Sequence, residues 1–130
     1  MRLGYTILYV PDVARTVAFY EAAFDLDRRF EHPAGDYAEM ETGATVLAFA
    51  ADALAASNFE AAYRPADPTA PPPALELAFV TDDVAGAFAR AVEAGAAVLA
   101  APAQKPWGQT VAYVRDHNGV IVELCTPVSG

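Results

Sequence analysis

Five of the chain's ten prolines fall in Arg64–Ala74, RPADPTAPPPA, at the midpoint of 130 residues. Proline fixes φ and has no backbone N–H to donate, so such a stretch is excluded from a helix interior or a central strand. It reads as an extended, semi-rigid linker. Regular structure must therefore be built from two halves. The reading is a single domain over 1–130, with a first unit at 1–58, a proline-rich linker at 59–74 and a second unit at 75–128.

Each half shows the same order of elements. In the first, Leu3–Val10 is a β-branched and aromatic run that reads as a strand, ended by Pro11. Asp12 is placed to cap a helix on which Val13, Val17, Tyr20 and Phe24 share one face. Asp25–Leu26–Asp27 closes that helix, and Arg28–His32 reads as a short strand. Tyr37–Glu41 and Thr45–Ala51 form a hairpin around Thr42–Gly43, and Asp52–Asn58 holds one helical turn. In the second half, Leu75–Thr81 is a strand and Asp82 or Asp83 caps a helix. That helix carries Val84, Phe88, Ala91 and Val92 on one face and ends at Gly95. Ala97–Ala100 is a short strand and Ala101–Gly108 a proline-containing loop. Gln109–Arg115 and Val120–Thr126 are strands joined by the turn residues Asp116–His117–Asn118–Gly119.

Strand, helix, strand, strand, strand thus occurs twice, as a duplicated supersecondary unit would. Aligning Asp12–Val13 with Asp83–Val84 sets an offset of 71 residues (83 − 12), which lays Leu8 on Phe79 and Tyr5 on Glu76. For the last strands, Val46–Phe49 matches Ile121–Leu124, so Ala48 falls on Glu123 at an offset of 75 (123 − 48).

Glu123 is the residue that asks for a function. Period-two alternation puts Ile121, Glu123 and Cys125 on one face and Val120, Val122 and Leu124 on the other. A carboxylate in a strand that is otherwise apolar needs a partner or a task, because burying an unpaired charge is costly. The task is that of base, metal ligand or charge partner; the structural alternative is pairing with Arg115 or Lys105. Glu76, which shares a face with Ala78 and Val80, is its companion, set against a plain water-exposed strand end. If the two carboxylates line one cavity with no cation between them, at least one pKa must rise.

Composition limits the partners. With 55% hydrophobic and 19% charged residues the chain reads as a soluble globular domain. No apolar run approaches the roughly 20 residues needed to cross a bilayer. The N-terminus MRLGYTILYV lacks a small-residue cleavage site, so no signal peptide is expected. The single cysteine, Cys125, forbids an internal disulfide and fits a reducing, cytoplasmic location. A net charge of −9 opposes a nucleic-acid partner and is compatible with a cationic ligand.

Three segments, YVPDVARTVAFYEAAFDL, FVTDDVAGAFARAVEAGA and KPWGQTVAYVRDHNGVIVEL, cover nearly the whole chain in order. In them the sequence resembles the vicinal oxygen chelate superfamily. That group includes glyoxalase I, the bleomycin and fosfomycin resistance proteins, methylmalonyl-CoA epimerase and extradiol dioxygenases. The resemblance implies an α+β fold, two βαβββ units forming curved mixed sheets around a cleft, and a homodimer. In metal-dependent members, first and last strands supply His or Glu to a divalent cation. The matching positions here are Tyr5, Ala48, Glu76 and Glu123, of which Glu123 alone carries a usual ligand in its expected type. Neither His32 nor His117 is expected on those faces, and a two-His-one-carboxylate triad is absent, so dioxygenase chemistry is the least favoured.

Two functions are left open. One is a bleomycin-resistance-like protein that binds a small organic molecule in a metal-free cleft. The other is a metal-dependent lyase or isomerase of the glyoxalase type, with Glu76 and Glu123 as metal ligands or proton shuttles. Tyr5, Tyr9, Trp107, Gln109 and Tyr113 are candidate ligand contacts; Tyr5 and Tyr9 are equally readable as half-buried core aromatics, Trp107 as a dimer-interface side chain, and Gln109 and Tyr113 as facing solvent. Cys125 reads as an inert packed thiol, and Asp12 and Asp83 as helix caps.

Overall fold

Pro11 and Asp12 end the first strand and start the first helix, as their chemistry requires. In the computed structural model, which describes residues 1–128, β1 spans Tyr5–Val10 and α1 spans Val13–Phe24. The Asp12 carboxylate accepts the Arg15 N–H at 3.0 Å, filling one of the donors that a helix start leaves unpaired. Asp25 closes α1 in the left-handed conformation, φ 55°. Val13, Val17 and Tyr20 are buried, and the Tyr20 ring lies 4.9 Å from that of Phe49. Strands β2 (Arg28–Glu31), β3 (Tyr37–Met40) and β4 (Val46–Ala51) and the short helix α2 (Asp52–Asn58) complete the first unit. Its sheet has the order β1-β4-β3-β2, with β1 parallel to β4 and the other pairs antiparallel.

The second half repeats this topology. Strand β5 (Glu76–Val80) leads to α3 (Val84–Glu93), β6 (Ala97–Gln104), β7 (Thr110–Arg115) and β8 (Ile121–Cys125). Asp83, rather than Asp82, caps α3 by accepting the Gly86 N–H at 2.9 Å. The sheet order is β5-β8-β7-β6, with β5 parallel to β8. One compact unit comprises Met1–Glu21 and Asp25–Ala66, the other Ala22–Phe24 and the chain from Asp67 onward. In each, alternate strand residues are buried on the core face: Leu8, Val10, Phe49 and Met40 in the first, Val114, Val122 and Leu124 in the second. Among the described residues no helix is long and apolar enough to cross a membrane.

The pairing of Ala48 with Glu123 is legible in the registers. Ala48 lies beside Ile7, and Glu123 lies beside Ala78, which is the residue the 71-residue offset assigns to Ile7. The extra residues that change the offset to 75 therefore sit between the first and last strands of the second unit.

Two expectations need correction. The stretch from Ala101 is not all loop, because β6 continues through Pro102 to Gln104. As the edge strand it has no outer ladder for proline to break, and its pairing slips twice, between Val98 and Ala100 and between Ala100 and Ala103. Val92 is not on the buried face of α3; it is 38% exposed. Eight residues beyond Val84 it is rotated by about 80° around the helix, whereas Ala91 returns almost in line.

The proline-rich stretch is anchored rather than free. Arg115 donates through Nε to the Gly119 carbonyl (2.8 Å) and through Nη2 to that of Ala70 (2.9 Å). Asp67 folds its own turn by accepting from the N–H and hydroxyl of Thr69. Gly119, at φ 97°, sits so close that a Cβ there would lie 2.9 Å from Pro68 Cα and 3.0 Å from the Asp67 carbonyl oxygen. Both the conformation and the space demand glycine. Gly119→Ala is accordingly expected to cost about 2 kcal/mol or more, read as a lower urea midpoint with an unchanged m-value.

Candidate functional site

The antiparallel pair β7–β8 sets Tyr113 directly across from Glu123, and the parallel pair β5–β8 sets Ala78 on its other side. Strand alternation then brings Glu76, Tyr113, Glu123 and Cys125 to the sheet face opposite the buried Val114, Val122 and Leu124. This is the open face of the second unit. The partner of Glu123 is on the same face and is a phenol: Tyr113 Oη donates to Glu123 Oε1 at 2.7 Å. Arg115, the basic partner considered from the sequence, is instead committed to the loop carbonyls of Gly119 and Ala70.

The electrostatics follow from this placement. The hydrogen bond to Glu123, then burial, pushes the Tyr113 phenol up to about 12, so it stays protonated as a donor at physiological pH. Partial burial of its carboxyl, and then the hydrogen bonding and charge of Glu123 beside it, raise Glu76 above the ordinary carboxylate range. Glu76 as a residue is exposed, so solvent tempers that rise. Burial, reinforced by Glu123, pushes the Cys125 thiol up to about 11, and its Sγ lies 3.8 Å from the Phe79 carbonyl oxygen. The face thus holds one proton more readily than two isolated carboxylates would.

Trp107 is 63% exposed on the turn between β6 and β7. Its indole Nε1 donates to Gln109 Oε1 at 2.7 Å, and Gln109 Nε2 donates to the Thr126 carbonyl at 2.8 Å. Gln109 therefore fixes the orientation of Trp107, a link the sequence did not show.

Tyr5 and Tyr9 lie on the open face of the first unit's sheet. Tyr5 is 54% exposed, whereas Tyr9 is partly covered by Phe59 and Tyr63, with ring centroids 6.3 and 5.2 Å away. Ala48 is fully buried there. Sequence reasoning missed three residues of this face. Tyr37 Oη donates to Glu39 Oε2 at 2.8 Å, and Arg29 Nε approaches Glu39 Oε1 at 3.4 Å. Burial, then the bond to Glu39, pushes Tyr37 up to about 12. The signal lies in YAEM, whose alternation puts Tyr37 and Glu39 on one face of the third strand. A groove of about 660 Å³ beside α2, lined by Asp52, Phe59, Glu60 and Tyr63 among others, contains none of the candidate site residues.

The donors on the second unit's open face are two carboxylates, a phenol and a protonated thiol. Among the described residues no three of His, Cys, Asp and Glu converge as a metal-holding group. His32 accepts the Ala34 N–H within its own turn, and His117 lies between β7 and β8. Such a set does not fit a resident transition metal, which favours imidazole or thiolate.

Two outcomes follow. Cys125 is expected to react with iodoacetamide at pH 7.5 roughly a hundredfold more slowly than a free cysteine, since thiolate is the nucleophile. For Glu76, a raised folded-state pKa means that the native state binds its proton more tightly than the unfolded chain does. Its contribution to stability is then greatest in acid and is lost as pH rises through the folded pKa. Glu76→Gln should raise Tm at pH 7 and leave it nearly unchanged at pH 4, measured by thermal melts.

Comparison with known proteins agrees with this architecture. Among curated proteins nothing matches the chain. Among solved structures, a glyoxalase-related enzyme from Fulvimarina pelagi is 22% identical, with a TM-score of 0.83 over 98% of this chain and 88% of that one. TioX from Micromonospora sp. ML1 is 21% identical, with a TM-score of 0.73 over 97% of this chain and 98% of that one. A protein of unknown function from Agrobacterium tumefaciens str. C58 is 23% identical, with a TM-score of 0.79 over 98% and 94%. At these identities the likeness is one of fold. The model of one family matches residues 2–124, and on that match the chain belongs to the Glyoxalase/Bleomycin resistance protein/Dioxygenase superfamily.

Proposed function

We propose that the protein binds a small organic molecule carrying positive charge or hydrogen-bond donors, with Glu123 and Glu76 as anionic contacts and no resident metal. The observation that carries this reading is the 2.7 Å hydrogen bond from Tyr113 to Glu123. It orients the Glu123 carboxylate on a face shared with Glu76 without supplying a positive charge to cancel it. The net charge of −9 supports a cationic over an anionic ligand through long-range attraction. Superfamily membership supports small-molecule binding but does not choose a reaction, because one fold hosts several chemistries.

In the same reading Tyr5, Tyr9 and Trp107 supply aromatic surface, while Gln109 and Tyr113 position their neighbours. The protein acts as a cytoplasmic homodimer with neither nucleic acid nor membrane as partner. Tyr5, Ile7 and Val80, exposed on open sheet faces, are surfaces that a ligand or a second subunit would cover. A second reading, acid–base catalysis, is favoured by Glu76 alone: its carboxyl holds a proton longer than usual, and Glu123 lies beside it to share that proton.

The test uses proflavine, a planar aromatic cation, with Trp107 fluorescence as the readout. The purified protein is expected to bind it with or without EDTA, and Glu123→Gln to bind roughly tenfold more weakly. Binding should weaken in acid as Glu76 takes up its proton, at a pH above the ordinary carboxylate range. A stoichiometric transition metal whose removal abolishes binding would overturn the reading in favour of a glyoxalase-type lyase or isomerase using Glu76 and Glu123. Light scattering should return about twice the chain mass of 13.7 kDa.

A further inference from the structure

The groove beside α2 plays no part in the binding reading above, and it lies wholly within the first unit. Residues of α2 and of the chain that follows it line a volume of about 660 Å³. Small-molecule pockets span roughly 300–1,000 Å³, so the space is that of an organic ligand. After α2 ends at Asn58 the chain turns back on its own helix. The Tyr63 hydroxyl donates to Asp52 Oδ1 at 2.5 Å, tying a residue 11 positions on to the first residue of α2.

Aromatic packing supports the same wall. The Tyr9 ring of β1 lies 5.2 Å from that of Tyr63 and 6.3 Å from that of Phe59, and the latter two are 6.2 Å apart. Phe59 and Tyr63 therefore line the groove as a braced aromatic surface, and Phe59 keeps 39% of its own surface exposed.

The charge of the lining has one sign. Asp52 and Glu60 are its charged residues, and apart from the two rings the rest are alanines and Pro65. Among the described residues neither carboxylate forms an ion pair with lysine, arginine or histidine. The hydrogen bond to Asp52, then burial, pushes the Tyr63 phenol up to about 12, so it remains a neutral donor that cancels no charge. Alanine, proline and phenylalanine side chains accept no hydrogen bonds. A primary amine would bring three N–H groups into such a lining, whereas a quaternary ammonium brings charge and methyl groups alone. Aromatic faces attract that kind of cation through their negative quadrupole.

We propose that the α2 groove is a second binding site, specific for a quaternary ammonium ion with an apolar body, held by the rings of Phe59 and Tyr63 and by the charge of Asp52 and Glu60. It uses a different unit and different carboxylates from the Glu76–Glu123 face, and it does not rest on the reading of that face.

The experiment titrates benzyltrimethylammonium into the full chain by calorimetry, with phenylmethanesulfonate as an anionic control and a thermal melt of every variant. The unaltered protein is expected to bind the cation at a saturable site, more weakly as salt is raised, and to ignore the anion. Phe59→Leu, and Glu60→Gln at an exposed residue, are each expected to weaken binding about threefold. Where Phe59→Leu also lowers the melt, Glu60→Gln decides. Binding that Glu123→Gln weakens, while Phe59→Leu and Glu60→Gln leave it unaltered, places the cation on the second unit and overturns the proposal. Equal binding of the anion overturns it, as does the lack of saturable binding. If that lack is accompanied by a lower light-scattering mass for Phe59→Leu, the groove is a contact between copies of the chain. Proflavine binding tests the earlier reading alone, so either can fail while the other stands.

Discussion

Parallel pairing of the first and last strands is the constraint on which each unit depends. A chain cannot turn directly from one strand into a parallel neighbour, so a crossover must intervene, and here it is a helix and two further strands. That crossover fixes which residues stand side by side: Ile7 with Ala48, and Ala78 with Glu123. A slip of one residue would turn Glu123 toward the buried face and Leu124 outward. Burial of Val122 and Leu124 on the core side therefore sets the direction in which Glu123 points.

Placing a carboxylate on that face carries an electrostatic consequence. Among the described residues Glu123 forms no ion pair with a guanidinium; Arg115, two residues along β7 from its partner Tyr113, is taken up by carbonyls of the turn and the proline-rich segment. A neutral phenol is the partner instead, and a second carboxylate is the neighbour. A phenol satisfies an anion without cancelling it. The face remains negative, with one site inclined to hold a proton, and that property suits recognition of donors and cations better than it suits a structural ion pair.

The proline-rich segment shows how a stretch without regular structure is kept in place. Proline-rich backbone has few N–H groups to spend, so its carbonyls are the groups left to be satisfied. Arg115, a planar donor with several N–H groups, reaches both the Ala70 carbonyl and that of Gly119. The same arginine thus joins the hairpin turn to the segment that precedes β5, and the absence of a side chain at Gly119 makes the approach possible.

Much of this was legible in residues alone. The proline cluster, the aspartate caps and the repeated order of elements determined two βαβββ units, because propensity, capping and periodicity are local properties. The alternation in VIVELC was enough to single out Glu123. What only the tertiary structure decided was partnership. That Tyr113 and not Arg115 bonds Glu123, that β6 runs through Pro102, and that Gln109 holds Trp107 all depend on sheet order and register. Glu39 is the clearest case: its neighbours in the sequence do not show that cross-strand pairing sets it opposite Ala48 or that Tyr37 bonds it. Pairing between strands distant in sequence is fixed by packing of the whole sheet, and no window of neighbouring residues contains it.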